Sequence, residues 1–193
     1  MDKKVEEKSV LRKNLLKKIY SLTNEEIERR SKNVEKTIIN LPIYKKSKVI
    51  MVYYPLKGEV NLLGMVRKAL KEEKTICFPV IDLKNNELFP YRVRDLDKDF
   101  VKGPLNIMQP NKRQTDKIEV DELDLVILPA LAMDYNKYRL GRGGGFYDRF
   151  INRLQSHTKK IGVVFDFQLF STLPVRIPYD QKVDIVVSDT VCF

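Results

Sequence analysis

The sequence predicts an α/β fold, a three-layer α/β/α sandwich in which helices cover both faces of a mainly parallel sheet. Short apolar runs rich in β-branched residues alternate along the chain with segments of helical periodicity, which is the pattern of strands buried on both faces. The chain has 193 residues, of which 43% are hydrophobic and 32% charged. This composition excludes a disordered chain and predicts one globular domain over residues 1–193.

Two amphipathic helices are predicted before the first strand. Apolar residues recur at helical spacing over Lys3–Tyr20. Thr23 followed by Glu26 is a capping-box pattern that opens the second helix, which is expected to end before Pro42. Helical spacing returns over residues 60–72, where a third helix is predicted.

Six short apolar runs are the candidate strands: residues 49–54, 75–80, 88–93, 125–128, 161–165 and 185–187. Pro90 interrupts the third run, and because proline removes a backbone donor, that strand is expected near a sheet edge. Residues 94–122 are charged and contain Gly103, Pro104 and Pro110. We expect them to form a long irregular excursion.

Several classes of protein and site are excluded at this stage. Every apolar run is far shorter than the roughly 18 residues of a membrane span, and the N-terminus lacks the apolar block of a secretory signal, so we expect a cytoplasmic protein without a membrane partner. Cys77 and Cys192 have no metal-ligand spacing and are expected to be reduced. His157, expected on the surface, is the sole histidine, which excludes two-histidine metal sites.

The net charge of +10 attracts polyanions such as polyphosphates and nucleic acids. The basic residues are dispersed among acidic ones, as on solvated helix faces. They do not cluster with aromatic residues, and no known RNA-binding motif is present. We therefore expect no nucleic-acid partner, and a basic protein that binds RNA or another polyanion remains an alternative.

The most informative stretch is residues 139–150, Arg-Leu-Gly-Arg-Gly-Gly-Gly-Phe-Tyr-Asp-Arg-Phe, which holds four of the eight glycines between a strand and a helical stripe. Glycines let consecutive amides converge on an anion, and arginines add donors for phosphate oxygens. The stretch lacks the Gly-Lys-Ser/Thr end of a P-loop, and Phe146 stands where the dinucleotide fingerprint needs glycine. Asp148 is placed either to hold Mg²⁺ beside phosphates or to complement the helix dipole.

This stretch closely resembles the signature of the 5-formyltetrahydrofolate cyclo-ligase family. Residues 8–12, Lys-Ser-Val-Leu-Arg, resemble the family's basic N-terminal element; residues 54–59 resemble the turn that carries a folate-contacting glutamate; and residues 165–184 resemble its C-terminal block. The chain departs from the family at Tyr179, where histidine is frequent, and at Gln109, where glutamate is frequent. The resemblance implies a fold like that of the isomerase and coenzyme A transferase-like superfamily.

The resemblance also implies an activity. Enzymes of the family convert 5-formyltetrahydrofolate and ATP into 5,10-methenyltetrahydrofolate, ADP and phosphate. The formyl oxygen attacks the γ-phosphate, N10 closes the ring and phosphate departs. Such phosphoryl transfer needs mainly positioning and charge neutralisation, which amides, cations and Mg²⁺ supply without histidine.

The roles carried over from the family fall on the matching positions of this chain. Tyr54 and Glu59 would bind folate, Asp148 and Asp180 would hold Mg²⁺, and Arg142, Tyr147 and Asp148 would be catalytic. ATP would be bound by Lys8, Arg12, Arg139, Leu140, Gly141, Arg142, Gly143, Gly144, Gly145, Phe146 and Tyr147.

Two expectations concern partners. The polyglutamate tail of cellular folates is acidic, so the positive charge of the chain is expected to favour it, and the protein is expected to act as a monomer. A sugar-phosphate isomerase-like enzyme on the same scaffold, which would not consume ATP, remains the second alternative.

Overall fold

The computed structural model describes residues 3–175 and 180–193. Over these residues its helices are α1 (Lys3–Tyr20), α2 (Asn24–Asn40), α3 (Pro42–Lys46), α4 (Leu63–Lys71) and α5 (Phe146–Ile151). The strands are β1 (Val49–Met51), β2 (Thr75–Asp82), β3 (Glu87–Val93), β4 (Phe100–Lys102), β5 (Met108–Pro110), β6 (Leu125–Pro129), β7 (Ala132–Asp134), β8 (Arg139–Leu140), β9 (Lys159–Val163), β10 (Leu169–Phe170) and β11 (Ile185–Val187).

The central sheet has the strand order β11-β9-β6-β1-β2-β3. Neighbouring strands are parallel from β11 to β2, and β3 alone is antiparallel to its neighbour. The predicted mainly parallel sheet is therefore confirmed. Pro90 lies in the edge strand β3, as predicted, where a missing backbone donor is tolerated.

Helices cover both faces of this sheet, which confirms the three-layer architecture. On one face α2 and α4 pack with Ile50 and Ile127, and on the other α5 packs with Met51 and Val126. Consecutive residues of β1 and β6 thus belong to opposite clusters, as the alternation of side chains along a strand requires. The carboxyl ends of the parallel strands meet at one edge, where the loops after β1 and β8 lie close together.

A second, smaller sheet has the order β10-β7-β8. Leu15 and Ile19 of α1 pack against Leu131 and Leu140 beside it. This contact places α1 next to the strand that leads into the glycine-rich stretch. Strands of two or three residues carry too little periodic signal to be recognised in the sequence, which explains why this sheet was not predicted.

The helices begin in different ways. The capping box of α2 is formed as predicted: the Thr23 hydroxyl accepts from the Glu26 amide, and the Glu26 carboxylate accepts from the Thr23 amide. The predicted helix over residues 60–72 begins at Leu63, and a Glu35 oxygen accepts from the Met65 amide at 2.6 Å. Pro42 opens the short helix α3 instead of only ending α2, because proline suits the first turn of a helix.

The prediction of an irregular excursion over residues 94–122 was wrong in part. It contains the antiparallel pair β4 and β5, which we call the β4–β5 hairpin, residues 100–110. Gln109 fixes this hairpin to the central sheet, because its buried Oε1 accepts from the Ile81 amide at 3.1 Å. Gln109, one of the two departures from the family pattern, thus has a structural role in this chain. Tyr179, the other departure, lies outside the described residues.

The remaining sequence-based expectations concern isolated residues. Cys77 is buried and Cys192 exposed, and both are free thiols. Burial raises the pKa of Cys77 to about 12, and His157 is exposed as predicted. None of the helices that the structure describes combines the length and the apolar character needed to cross a bilayer.

Candidate active site

Two cavities share the glycine loop, residues 141–145, as a common wall. The first, the polar cavity, has a volume of about 590 Å³. The second, the apolar cavity, has a volume of about 310 Å³. Residues that line both are Arg139, Gly141, Gly143, Gly145 and Asp148. The two cavities therefore adjoin each other at the glycine loop.

The lining of the polar cavity carries more positive than negative charge. Its ionisable side chains among the described residues are Lys8, Arg12, Arg139, Arg149, Asp148 and Asp180. Lys8 and Arg12 come from one face of α1, four residues apart. Four cations against two carboxylates in a concave site suit a polyanion such as a nucleotide phosphate chain.

Both carboxylates of the polar cavity are paired with protein cations. Lys8 Nζ donates to Asp180 Oδ2, and Arg139 Nη2 donates to Asp148 Oδ1 at 2.7 Å. The Arg139 side chain is only 3% exposed, and its Nε is buried with no hydrogen-bond partner among the described residues. Arg139 therefore retains donor capacity inside the site.

Arg12 ties α1 to the glycine loop. Its Nε donates to the Gly141 carbonyl at 2.9 Å. Burial lowers the pKa of Arg12, and the negative charges of Asp180 and Asp148 act in the opposite direction. The same carboxylates that face the cavity thus favour the charged form of the guanidinium.

Asp148 and Asp180 fit a magnesium ion that arrives with phosphates. No group of three or more His, Cys, Asp or Glu side chains that could hold a metal occurs in the described ranges. Mg²⁺ usually takes one or two carboxylates together with phosphate oxygens and water. Two carboxylates on the wall of a cation-rich cavity match that requirement. They are too few to hold a cation by protein ligands alone.

Glycine is required at two positions of the loop. Gly143 has φ of +109° and Gly145 has φ of +67°, a region that side chains disfavour. A Cβ on Gly145 would also lie 2.8 Å from Nη1 of Arg149. The loop therefore depends on glycine for its conformation.

The apolar cavity is lined mainly by apolar and aromatic side chains. The β4–β5 hairpin contributes one wall, and the carboxyl ends of β1 and β6 contribute another. Apolar lining residues include Tyr54, Leu56, Pro79, Ile81, Leu88, Leu105, Ile107, Met108, Pro129, Leu131 and Phe146. Few polar groups interrupt this lining, so those that do would fix the orientation of a ligand.

One ion pair crosses the apolar cavity. Arg142 Nε donates to Glu59 Oε1 at 2.9 Å, and the Glu59 side chain is only 8% exposed. Burial acts to lower the pKa of Arg142, but Glu59 and the Tyr20 hydroxyl outweigh it and the pKa is raised. The pair joins the glycine loop to the turn after β1.

Two tyrosines near this pair keep their protons at neutral pH. Burial raises the pKa of Tyr147, and Glu59 adds to that effect, while Arg139 opposes it. Burial likewise raises the pKa of Tyr53, whose hydroxyl donates to the Val60 carbonyl at 2.6 Å. Tyr54 packs its ring against Phe100 of the β4–β5 hairpin, with centroids 5.0 Å apart.

The structure divides the residues that the sequence assigned to ATP between the two cavities. Lys8, Arg12, Leu140 and the shared residues line the polar cavity, whereas Arg142, Gly144, Phe146 and Tyr147 line the apolar cavity with Tyr54 and Glu59. Sequence reasoning missed Val5, Asn152 and Gln181 in the polar cavity and the wall formed by the β4–β5 hairpin. Only Gly103 and Pro104, which mark the turn of that hairpin, gave a signal.

Comparison with known proteins agrees with this geometry. The model of the 5-formyltetrahydrofolate cyclo-ligase family matches residues 4–189. The NMR structure of Aquifex aeolicus 5,10-methenyltetrahydrofolate synthetase is 36% identical, with a TM-score of 0.83 over 96% of this chain and 91% of that chain. The probable cyclo-ligase of Schizosaccharomyces pombe is 30% identical, covering 92% of this chain and 95% of its own length. The mitochondrial cyclo-ligase of Arabidopsis thaliana is 26% identical, covering 98% and 73%. The chain belongs to the 5-formyltetrahydrofolate cyclo-ligase family.

Proposed function

We propose that this protein cyclises 5-formyltetrahydrofolate to 5,10-methenyltetrahydrofolate at the expense of ATP, releasing ADP and phosphate. The observation that carries the proposal is the glycine loop of the family signature, which separates a cation-rich cavity from an apolar one. The reaction joins a polyanionic nucleotide to a reduced pterin. Each cavity has the chemistry of one of these two reactants, and they meet at the loop.

The apolar cavity is proposed to hold the folate. Its ring system would lie between the β4–β5 hairpin and the residues around Tyr54. Glu59 can accept paired hydrogen bonds from the amino-pterin edge, because a carboxylate offers two acceptor oxygens. Glu59 Oε2 already accepts from the Leu56 amide at 3.0 Å, so the pterin would use the remaining lone pair of that oxygen together with Oε1. Binding would require Arg142 to release Oε1, and the partly exposed guanidinium would remain beside the glycine loop.

The polar cavity is proposed to hold the nucleotide. Lys8, Arg12 and Arg139 supply cationic donors, and the amides of the glycine loop add neutral ones. Asp148 and Asp180 would hold Mg²⁺, which neutralises phosphate charge during transfer. These cationic and amide donors would stabilise the negative charge on the phosphoryl group during its transfer, and they would hold that group in position.

The bond changes follow from this placement. The formyl oxygen attacks the γ-phosphorus, and the bond to the ADP oxygen breaks. N10 then attacks the activated formyl carbon and loses its proton, and phosphate leaves with the former formyl oxygen. The protonated hydroxyl of Tyr147 is a donor on the folate side of the loop, which supports its place near the reacting oxygen.

The finer expectations belong to the same proposal. Residues 1–193 would act as one cyclo-ligase unit, in the cytoplasm and as a monomer, without a nucleic-acid or membrane partner. The net charge of +10 supports a preference for polyglutamylated folate through electrostatic attraction.

The test mixes the purified chain with 5-formyltetrahydrofolate, MgCl₂ and ATP and follows the near-ultraviolet absorbance of the methenyl product. We expect product that depends on ATP, with one phosphate released per ring closed. Reactions without ATP and with ADP in its place are the controls. A folded chain that forms no product would contradict the proposal, and turnover of a sugar phosphate without ATP would favour the isomerase alternative.

A further inference from the structure

Arg149 links the glycine loop to the turn between β2 and β3. Its Nη2 donates to the Gly144 carbonyl at 2.8 Å, and its Nε donates to the Asn86 carbonyl at 2.8 Å. Its Nη1 lies close to Gly145, since a Cβ on that residue would be 2.8 Å from it. One guanidinium thus holds two backbone carbonyls from segments that lie far apart in the sequence.

The contact with Gly144 fixes more than one atom. The Gly144 carbonyl and the Gly145 amide belong to the same planar, trans peptide unit, so the carbonyl and the N–H point in opposite directions. Holding the oxygen therefore fixes the direction of the Gly145 amide. Gly145 lines both cavities. The direction of its amide therefore decides whether its N–H can donate a hydrogen bond to an anion at the loop.

The side chain of Arg149 also borders the polar cavity, where its charge could contact phosphate directly. Its geometry favours a different role, because two of its three nitrogens donate to carbonyls and the guanidinium packs on Phe146 with 5.4 Å to the ring centroid. A planar fork can hold two carbonyls at once, whereas a lysine ammonium on a flexible stem cannot reproduce both contacts.

Arg153, one turn further along the chain, provides a natural comparison. Its Nη1 donates to the Leu88 carbonyl at 3.1 Å, and its guanidinium packs over Phe89 and Phe150. It therefore fastens the α5 region to β3, next to the turn that Arg149 contacts. Among the described residues, these contacts of Arg153 do not involve the glycine loop. A role in stability alone would be common to both arginines.

We propose that Arg149 is a positioning residue that orients the Gly144–Gly145 peptide so that the loop presents its amides to the bound anion. It acts through the loop and not through its own charge. The identity of the anion as a nucleotide phosphate rests on the proposed function. The juxtaposition that carries this assignment is Arg149 between the Asn86 and Gly144 carbonyls.

The test compares Arg149→Lys and Arg149→Met with Arg153→Lys and Arg153→Met. Calorimetry gives the dissociation constant for MgADP, thermal unfolding gives stability, and spectra of the chain labelled with ¹⁵N-glycine report on the eight glycine amides. We expect both Arg149 variants to weaken MgADP binding to a similar extent, by roughly tenfold to a hundredfold, and to shift the resonances of the glycine loop. The Arg153 variants should lower the melting temperature and leave the dissociation constant within about twofold.

Three results would overturn the assignment. Arg149→Lys binding MgADP as the unaltered chain does, with Arg149→Met weakened, would show a direct contact between charge and phosphate. Arg153→Met weakening binding as much as Arg149→Met, at equal loss of melting temperature, would show a role in stability alone. Unshifted resonances of the glycine loop in both Arg149 variants would show that no orientation is lost.

The binding comparison of the Arg149 and Arg153 variants can fail independently of the cyclo-ligase assay. A chain that binds MgADP and fails to cyclise 5-formyltetrahydrofolate refutes the cyclo-ligase activity, and the Arg149 comparison still decides the positioning role. A folded chain that binds no MgADP refutes both.

Discussion

Replacing Asp148 with asparagine should have opposite effects on nucleotide binding with and without magnesium. Asp148 lines the polar cavity and is paired with Arg139 at 2.7 Å. Without the metal, the negative charge of Asp148 repels a phosphate. Its carboxylate also engages the Arg139 guanidinium, which could otherwise donate to the phosphate. With the metal the same carboxylate is a proposed ligand, so its loss should weaken binding.

The magnitude follows from the position of the carboxylate. Two unit charges about 4 Å apart interact by about 4 kcal/mol at the effective dielectric constant of a protein surface. The Asp148 side chain is 24% exposed, and solvent screening reduces that value to about 1–2 kcal/mol. We therefore expect Asp148→Asn to bind ADP in EDTA roughly tenfold more tightly than the unaltered chain.

Calorimetric titrations with ADP in EDTA and with MgADP measure both effects on one protein sample. Asp97→Asn is the matched control, because it changes the net charge equally at a side chain that is 76% exposed. Weaker binding of metal-free ADP by Asp148→Asn would refute the electrostatic reasoning. An unchanged benefit from magnesium in the same variant would refute the assignment of Asp148 as a metal ligand.

Three further expectations test other parts of the molecule. Glu59→Gln should raise the KM for the folate about tenfold or more, because a buried carboxylate acceptor is lost, while the dissociation constant for MgADP stays within about twofold; steady-state kinetics and calorimetry check this, and equal losses on both ligands would contradict it. Gly58→Ala should lower the free energy of unfolding by about 2 kcal/mol or more, because Gly58 has φ of +79° and a Cβ there would lie 2.2 Å from Ile19 Cγ2; a urea titration showing no loss would refute the steric reasoning. Burial raises the pKa of Glu35 above 4.5, against the effect of its backbone hydrogen bonds, so its contribution to stability is full below that value and is lost as the pH rises through its higher folded pKa. The difference in free energy of unfolding between the unaltered chain and Glu35→Gln should therefore fall as the pH rises from about 4.5, and a difference independent of pH would contradict this expectation.

The central sheet could be predicted because its parallel strands are buried on both faces. Such strands appear in the sequence as continuous apolar runs. The predicted runs overlap all five parallel strands of the sheet: β1, β2, β6, β9 and β11. The smaller sheet and the β4–β5 hairpin consist of strands of two or three residues. Their pairing depends on tertiary contacts such as that of Gln109 with Ile81, which local periodicity does not contain.

The sequence predicts an anion site at the glycine loop because the chemistry that indicates one is local: glycines, arginines and an aspartate within ten residues. The ion-pair partners of the basic residues at the site could not be predicted from the sequence. Arg142 meets Glu59 across 83 residues of sequence, and Lys8 meets Asp180 across 172. Charge and spacing alone therefore could not show that Arg142 lies on the wall of the apolar cavity.

The pairing of charges explains how three carboxylates of the candidate site can be buried. Glu59, Asp148 and Asp180 have side chains between 8% and 24% exposed, and each is paired with an arginine or lysine of the site. A carboxylate buried to this extent without a partner would cost several kcal/mol. Pairing removes that cost in the folded chain, and a ligand that brings its own donors or metal ion can replace the protein cation at the carboxylate. The net affinity of the site for each ligand is then the difference between two well-paired arrangements, which makes it sensitive to a single charge such as that of Asp148.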